Sequence, residues 1–249
     1  MFILILLLQF YFPHWSRKIP EDPESNFENL QKRFPRVRTA FNLHEASIKG
    51  ELVKRKIDEK KLSMAILAYK EESCLEIWLG EEDSELQLVE EMEICASSGK
   101  PGPKTKEGDF QVPEGFYNLN CFNPGSRYHL SMCVNYPNES DLRRNPGVRR
   151  HGGAIMVHGG CITIGCIPVT NQSIERLYVY AVKARSSGQD AIPIYIFPAR
   201  PDGARYKTLL QEYPWHKGFW TNLSNGHTRF IQRKKMLDIQ VSPTGEYRF

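Results

Sequence analysis

The sequence lacks an apolar run long enough for a membrane-spanning helix, which needs about 20 such residues. The longest run begins at Phe2 and stops at Pro13, with Arg17 and Lys18 following it. Residues 1–18 therefore predict a signal peptide, and with it export to the periplasm or cell envelope. No Lys or Arg precedes the run and no A-x-A cleavage site follows it, so an uncleaved membrane anchor or a buried N-terminal segment stays open.

A strong charge of either sign is also missing. The 249 residues carry 33 Lys and Arg against 29 Asp and Glu, and the net charge of +4 is too small to indicate nucleic-acid binding. Lys and Arg are absent between Glu71 and Glu93, where many carboxylates predict a solvated strand face. Four arginines crowd the approach to residue 155 and predict either a solvated surface or an anion-facing rim: Arg143, Arg144, Arg149 and Arg150.

Closely paired cysteines are absent as well, since the 6 cysteines include no C-x2-C pair. A chain of this length with 41% hydrophobic residues can bury a core without a disulfide scaffold. Four of the cysteines lie in strand-like stretches and are most simply core residues: Cys74, Cys95, Cys121 and Cys133. The other two cysteines, Cys161 and Cys166, lie with His158 in the stretch IMVHGGCITIGCIPVT at 155–170.

Hydrophobic spacing predicts helices around a set of strands. Apolar residues recur every three or four positions over 24–60, which predicts helix broken near Pro35. Short apolar and aromatic runs predict strands from residue 63 onward, with a Gly-, Pro- and Lys-rich loop at 97–115. A second helix is predicted after the motif, capped by Thr170 or Asn171 and ended at Gly188, and two short strands are predicted at 237–242 and 246–249.

Three chemistries fit the residues of the motif. The motif and the nearby His151 offer four nitrogen and sulfur ligands, the number in a structural zinc site: His151, His158, Cys161 and Cys166. A Cys161–Cys166 disulfide would close a small loop, which a glycine-containing turn allows in an oxidising compartment. A cysteine nucleophile beside a histidine base is the third interpretation.

The nucleophile interpretation accounts for more of the residues. Cys166 follows Gly165, which lets a substrate carbonyl approach the backbone closely, and it precedes a predicted helix whose dipole would favour a thiolate. His158 ends an apolar run and precedes Gly159 and Gly160, so a sharp turn could bring the imidazole within reach of the thiol. Because His at a strand end and Cys on a strand are commonly structural, the residues alone leave the three interpretations open.

Around this motif the sequence resembles the L,D-transpeptidase catalytic-domain family, the YkuD-like cysteine enzymes of bacterial cell walls, and within it the YafK-like branch. The resemblance spans about residues 95–200. It implies an α+β, mostly β catalytic domain over 61–249 with flanking helices, preceded by a helical extension at 19–60. Four blocks carry it in the order of that branch: GPKTKEGDFQVPEGFYNLN, FNPGSRYHLSMCVNYPNESD, GGAIMVHGGCITIGCIPVTNQSIERLY and IPIYIFPAR.

The resemblance also implies roles for single residues. Cys166 matches the nucleophile at the end of the S-x-G-C signature, and Gly165 matches its glycine. His158 matches the general base, with its other ring nitrogen oriented by a carbonyl near Gly159. Backbone N–H groups around Cys166 would form an oxyanion hole. Thr163 stands where most members have Ser and keeps the hydroxyl, and the short spacing between His158 and Cys166 is typical of the YafK-like branch.

As a function, the resemblance implies acyl transfer on peptidoglycan stem peptides, without metal or other cofactor. The thiolate would attack the carbonyl of a diaminopimelate-type third residue, and an amine or water would resolve the thioester. An envelope protein as acyl acceptor or leaving group is a further expected partner. The alternatives are a hydrolase of the same cross-links or of protein–peptidoglycan links, and a non-catalytic, zinc-stabilised wall-binding module. Candidate contacts for substrate carboxylates are His129, Arg143, Arg144 and Arg149.

Overall fold

The chain, described here by a computed structural model over residues 26–249, begins with two helices. The predicted signal peptide or anchor at 1–18 lies outside the described residues. The helix predicted over 24–60 is present in two parts, and the second part begins at Pro35. Proline is tolerated in the first turn of a helix because its missing N–H costs no hydrogen bond there. The two helices are α1 (Phe27–Gln31) and α2 (Pro35–Lys54).

A mixed sheet of eight strands follows these helices. Its first seven strands are β1 (Leu62–Tyr69), β2 (Cys74–Glu81), β3 (Gln87–Glu93), β4 (Gly115–Asn123), β5 (Ser131–Val134), β6 (Met156–His158) and β7 (Ile167–Pro168). A short helix that the sequence analysis did not predict, α3 (Glu139–Arg144), lies between β5 and β6. The remaining elements are α4 (Asn171–Ser186), β8 (Ile192–Phe197), α5 (Ala204–Glu212), α6 (Lys217–Arg233), β9 (Gln240–Val241) and β10 (Tyr247–Arg248). The predicted helix after the motif and both C-terminal strands are confirmed.

Helices cover both faces of the sheet, whose strand order is β3-β2-β1-β8-β4-β5-β6-β7. All residues of the central strand β1 are buried. Its Met64 and Ile66 belong to one apolar core with residues of α2 and α4, whereas Leu67 and Tyr69 belong to a second core with residues of α5 and α6. This two-sided burial explains why β1 is a continuous apolar run without polar alternation.

The N-terminal helices share the first of these cores. Ile48 and Leu52 of α2 are buried in the same cluster as Tyr178 of α4. Lys183 of α4 is almost fully buried, and its Nζ lies 2.9 Å from a carboxylate oxygen of Glu45 in α2. A buried lysine needs such a partner, so this ion pair fixes how α2 docks on α4. The domain boundary predicted near residue 60 stays a prediction.

The two outer strands of the sheet meet at their carboxyl ends. Ile94, just after β3, forms an antiparallel bridge with Val169, just after β7, and the N–H of Cys95 donates to the Pro168 carbonyl at 3.0 Å. A Cys95–Cys161 disulfide, with Cα atoms 5.3 Å apart, crosses this junction. The sheet therefore curves into an incomplete barrel that is closed at one end, beside the motif.

The disulfides correct two expectations from the sequence. Cys161 is bonded to Cys95, which was expected as a core thiol, and not to Cys166. Cys121 and Cys133 were also expected as core thiols, but they face each other in the register of β4 and β5 and form a disulfide. The described residues keep two free cysteines, Cys74 and Cys166.

Candidate active site

His158 is the last residue of β6 and is only 2% exposed. Its Nδ1 lies 2.7 Å from the Gly159 carbonyl oxygen, which confirms the predicted orienting contact. Because a carbonyl can only accept, Nδ1 carries the proton and Nε2 keeps its lone pair. Burial lowers the pKa of His158, and the hydrogen bond to Gly159 opposes this only in part. The imidazole is therefore neutral at pH 7, as a general base must be.

Cys166 directly precedes β7, which runs parallel to β6. The register pairs His158 with Pro168, so Cys166, two residues earlier, projects to the same face of the sheet as His158. Cys166 is half-buried, and its Sγ lies 3.6 Å from the Ala154 carbonyl oxygen. The fold thus brings the two predicted catalytic residues onto one face of neighbouring strands.

The ionisation of Cys166 differs from the sequence-based expectation. Burial raises the pKa of the Cys166 thiol, and a backbone hydrogen bond from Met156 and the charge of Lys104 offset this only in part. In the first turn of α4, the Thr170 hydroxyl caps the N–H of Ser173 at 3.1 Å, and help from the α4 dipole stays a prediction. The resting pair is a neutral thiol and a neutral imidazole.

The lowered pKa of His158 predicts the pH range in which Cys166 loses its reactivity. The folded-state pKa of His158 is lowered from its ordinary value of 6.5, so the base stays neutral until the pH falls below that value. We expect the acid limb of Cys166 alkylation to lie below pH 6.5 and to coincide with the NMR titration midpoint of the His158 ring. A Cys166→Ala variant controls for coupling between the two groups. A midpoint above 6.5 would contradict this description of the site.

Thr163 shapes the turn that presents Cys166. Its Oγ1 accepts from the N–H of Cys166 at 2.7 Å and from the N–H of Gly165 at 3.1 Å, and it donates to the Cys166 carbonyl at 2.9 Å. Gly165 has φ +133°, and a Cβ there would lie 3.1 Å from the Gln111 carbonyl oxygen. The N–H groups of Cys166 and Gly165 thus bind the Thr163 hydroxyl, whereas the sequence predicted N–H groups around Cys166 as a free oxyanion hole.

Thr163 can be tested with two substitutions. Thr163→Val keeps the side-chain volume but removes three hydrogen bonds worth about 1 kcal/mol each, so we expect Cys166 acylation to slow about 10- to 100-fold. Thr163→Ser keeps the hydroxyl and is expected to stay close to the original rate. The measurement is the single-turnover acylation rate, with thermal unfolding to verify that both variants fold. Equal rates in the two variants would show that the hydroxyl is dispensable.

The predicted loop at 97–115 lies against this turn, because its Gln111 carbonyl is the neighbour that a Cβ on Gly165 would meet. Lys104 in this loop is 4% exposed, and its Nζ donates to Asp109 Oδ1 at 2.6 Å and to the Lys106 carbonyl at 2.9 Å. Its charge favours the Cys166 thiolate. The sequence analysis did not single out Lys104, although it lies within GPKTKEGD in the first resemblance block.

Tyr128, another residue that the sequence analysis missed, packs on His158. The two ring centroids are 4.7 Å apart with an interplanar angle of 33°. A pocket of about 380 Å³ opens beside this ring pair. Its walls come from Arg36 of α2, residues 127–129, residues 160–162 and the first residue of α4. The N-terminal helix α2, to which the sequence analysis gave no chemistry, thus contributes to the site.

Two of the four residues predicted to contact substrate carboxylates are His129 and Arg149. His129 lines the pocket, where its Nε2 lies 2.5 Å from Oε1 of Glu175. Arg149 is exposed in the connection before β6 and does not line the pocket. For both residues a contact with substrate stays a prediction.

The other two predicted contacts, Arg143 and Arg144, have partners within the protein. Arg143 NH1 donates to the carbonyls of Val241 at 2.8 Å and Ser242 at 2.6 Å, which ties α3 to the C-terminal hairpin. The Arg144 guanidinium lies 3.4 Å from the ring centroid of Phe219. These contacts link α3 to the C-terminal segments. For both arginines a contact with substrate stays a prediction.

The zinc interpretation required four ligands from the motif region. Cys161, one of the four, has its sulfur in the bond to Cys95. Within residues 26–249, no group of three or more His, Cys, Asp or Glu side chains is arranged to hold a metal ion. The same described residues contain no helix that is long and apolar enough to cross a membrane.

Comparison with known proteins supplies the family. A sequence model of the YkuD L,D-transpeptidase catalytic domain matches residues 66–196, more than half of the chain. The chain belongs to this family. The L,D-transpeptidase fold expected from the resemblance is therefore confirmed, and family membership relates the chain to peptidoglycan chemistry.

Individual known proteins are similar to different shares of the chain. The curated protein "Putative L,D-transpeptidase YafK" of Escherichia coli (strain K12) is 34% identical over 180 residues, which cover 71% of this chain and 70% of that protein. The helical cell shape determining protein Pgp2 from Campylobacter jejuni is 24% identical with a TM-score of 0.44, covering 56% of this chain. Mycobacterium tuberculosis L,D-transpeptidase 1 is 14% identical with a TM-score of 0.31, covering 54% of this chain and 61% of its own. This chain spans about half the length of the Pgp2 structure, at 49%.

Proposed function

We propose that this protein is an L,D-transpeptidase that transfers acyl groups of peptidoglycan stem peptides through Cys166. One observation carries the proposal. A buried, neutral His158 with a free Nε2 lies on the same sheet face as the free thiol of Cys166. In a chain of this family, such a pair has the parts that thioester chemistry requires.

The first half-reaction follows from the neutral resting pair. The Cys166 thiol gives its proton to Nε2 of His158 while the sulfur attacks the carbonyl carbon of the third, diaminopimelate-type residue. The C–N bond to the fourth residue then breaks, and the leaving nitrogen takes the proton from His158. A thioester on Cys166 and a free amine remain, with no net change in protons.

The second half-reaction decides the product. An incoming amine loses a proton to His158, attacks the thioester carbonyl and forms an amide as the C–S bond breaks and the thiol is reprotonated. Water in place of the amine gives hydrolysis of the same links. The name of the Escherichia coli relative supports transpeptidation. The acceptor that we propose is a stem peptide or an envelope protein.

The proposal includes export to the periplasm or cell envelope, where peptidoglycan lies. Two disulfides, Cys95–Cys161 and Cys121–Cys133, support it because such bonds are rare in a reducing cytosol. The apolar segment within residues 1–18 is the expected export signal, either cleaved or kept as an anchor.

Defined muropeptides test this function directly. The purified protein is incubated with tetrapeptide-containing muropeptides, with and without an added amine acceptor, and the products are identified by mass. Loss of the fourth residue with an adduct on Cys166 supports the proposal. Cross-linked, exchanged and hydrolysed products then separate amine acceptors from water. If no thioester adduct and no product forms with the folded, exported protein, the proposal is wrong.

A further inference from the structure

The pocket beside His158 contains an arginine held in place by its neighbours. Arg36 of α2 donates from NH1 to the carbonyls of Ser126 at 2.6 Å and His129 at 2.7 Å. Both hydrogen bonds use the same nitrogen, so within residues 26–249 the Nε and NH2 donors remain for another acceptor. A guanidinium oriented in this way is suited to a planar oxyanion such as a carboxylate.

A second arginine reaches the same pocket from the loop before β5. Arg127 lines the pocket, is exposed, and forms no hydrogen bond or ion pair in the part of the chain that the structure describes. Glu175, the partner of the pocket residue His129, lies 2.5 Å from that histidine and 3.4 Å from His44. The pocket therefore has two guanidinium groups, Arg36 and Arg127, that form no ion pair with any residue in the described range 26–249.

The position of the pocket indicates which part of a substrate it faces. Tyr128, which stacks on His158, and Gly160 in the turn after it both line the pocket. Neither Cys166 nor His158 itself lines it. A general base exchanges its proton with the departing or attacking nitrogen, so that nitrogen must lie within hydrogen-bond reach of His158. Because the pocket adjoins His158 through Tyr128 and Gly160, the fragment that bears the reacting nitrogen is the part of a substrate that would extend towards it.

We propose that this pocket is a carboxylate subsite for the amine-bearing fragment, with Arg36 and Arg127 as its counter-charges. The inference rests on the proposed function. The departing fourth residue carries its amine and its carboxylate on one carbon, and so does an amino-acid acceptor. When such an amine lies at His158, its carboxylate is a fixed short distance away. Ile162, 63% exposed at the pocket wall, offers an apolar contact to the fragment's side chain.

Turnover with matched ligands tests this subsite in two arms. The donor arm compares a tetrapeptide that ends in a carboxylate with its C-terminal amide, and the acceptor arm compares an amino acid with its amide at saturating donor. Charge-assisted hydrogen bonds are worth about 1.5–3 kcal/mol. If the pocket binds the donor or the acceptor, the carboxylate form of that ligand is therefore expected to have a KM at least about tenfold lower than its amide form.

Charge-removing variants then locate the effect. We expect the KM values of the carboxylate and amide forms to become nearly equal, with little change in kcat, in Arg127→Gln, in Arg36→Gln and in the double variant. Arg36→Lys is expected to keep part of the KM difference. Arg33→Gln removes an exposed arginine just before α2 that does not line the pocket, and it is expected to keep the full preference. A full preference in the double variant overturns the proposal.

Binding without turnover separates this inference from the proposed function. In Cys166→Ala, ligand-observed NMR compares alanine with alanine amide, and the comparison is repeated with Arg127→Gln added. Stronger binding of the carboxylate that disappears with Arg127→Gln supports the subsite even if the original protein forms no thioester, a result that would overturn the proposed function alone. Equal binding of both ligands overturns the subsite even if thioester chemistry is observed.

Discussion

Cys166→Ala is expected to lower kcat/KM for stem-peptide acyl transfer at least about 1,000-fold, because no other group can form the thioester. His158→Ala should fall into the same range, since it removes the imidazole that lies on the same sheet face as the neutral thiol and would take its proton. The double variant should lose little more than either single variant, because residues that act as a unit are not additive. The measurement is product formation from a defined tetrapeptide muropeptide.

Cys74 provides the matched control for this prediction. It is the other free cysteine of the described residues, and it is also partly buried with a pKa raised by burial. Its Sγ lies 3.5 Å from Arg200, on a strand far from the motif in sequence. Cys74→Ala should retain acyl transfer and the adduct on Cys166. Activity that survives in Cys166→Ala but is lost in Cys74→Ala would show that Cys74, and not Cys166, is the nucleophile.

Replacing Cys95 and Cys161 together with Ser is expected to lower the free energy of unfolding by about 4 kcal/mol. The bond joins residues 66 positions apart, and constraining an unfolded loop of that length accounts for this value. We also expect slower acylation, because Cys161 lies in the turn between His158 and Cys166. Urea denaturation gives the stability change, and single-turnover acylation gives the rate.

The second disulfide serves as the comparison. Cys121 and Cys133 are 12 positions apart, so their joint replacement with Ser should cost less, about 3 kcal/mol. This pair lies across β4 and β5, outside the turn that carries Cys161, and the acylation rate of the folded variant should be unchanged. A larger stability loss for this pair than for Cys95 and Cys161, or no stability loss for either pair, would contradict the argument.

Local signals predicted much of the fold correctly. The helix after the motif begins where its capping residue, Thr170, was expected, and a glycine with positive φ, Gly188, follows its end. The strand runs from residue 63 onward were recognisable from their apolar and aromatic content. These features depend on residues close together in sequence, which is why spacing and capping rules identify them.

Features that depend on strand order were not predictable in the same way. Cys161 was compared with Cys166 because the two are neighbours in sequence, whereas its partner Cys95 is adjacent only once the outer strands meet. Arg144 seemed close to the motif, but the unpredicted helix α3 directs it to Phe219. Arg36 reaches the site through the docking of α2, which no local pattern encodes.

The outer strand β3 bears on how the protein behaves at high concentration. The closing bridge at Ile94 pairs only the end of this strand, so the rest of its outer edge faces away from β2. A second molecule that added its own β3 there would bring the carboxylates of both strands close together, although Glu90 and Glu91 are paired with Arg176 and Arg200 and Glu93 is exposed. Like charges on facing strands repel each other. The carboxylate-rich segment therefore discourages edge-to-edge aggregation of a protein whose barrel is incomplete.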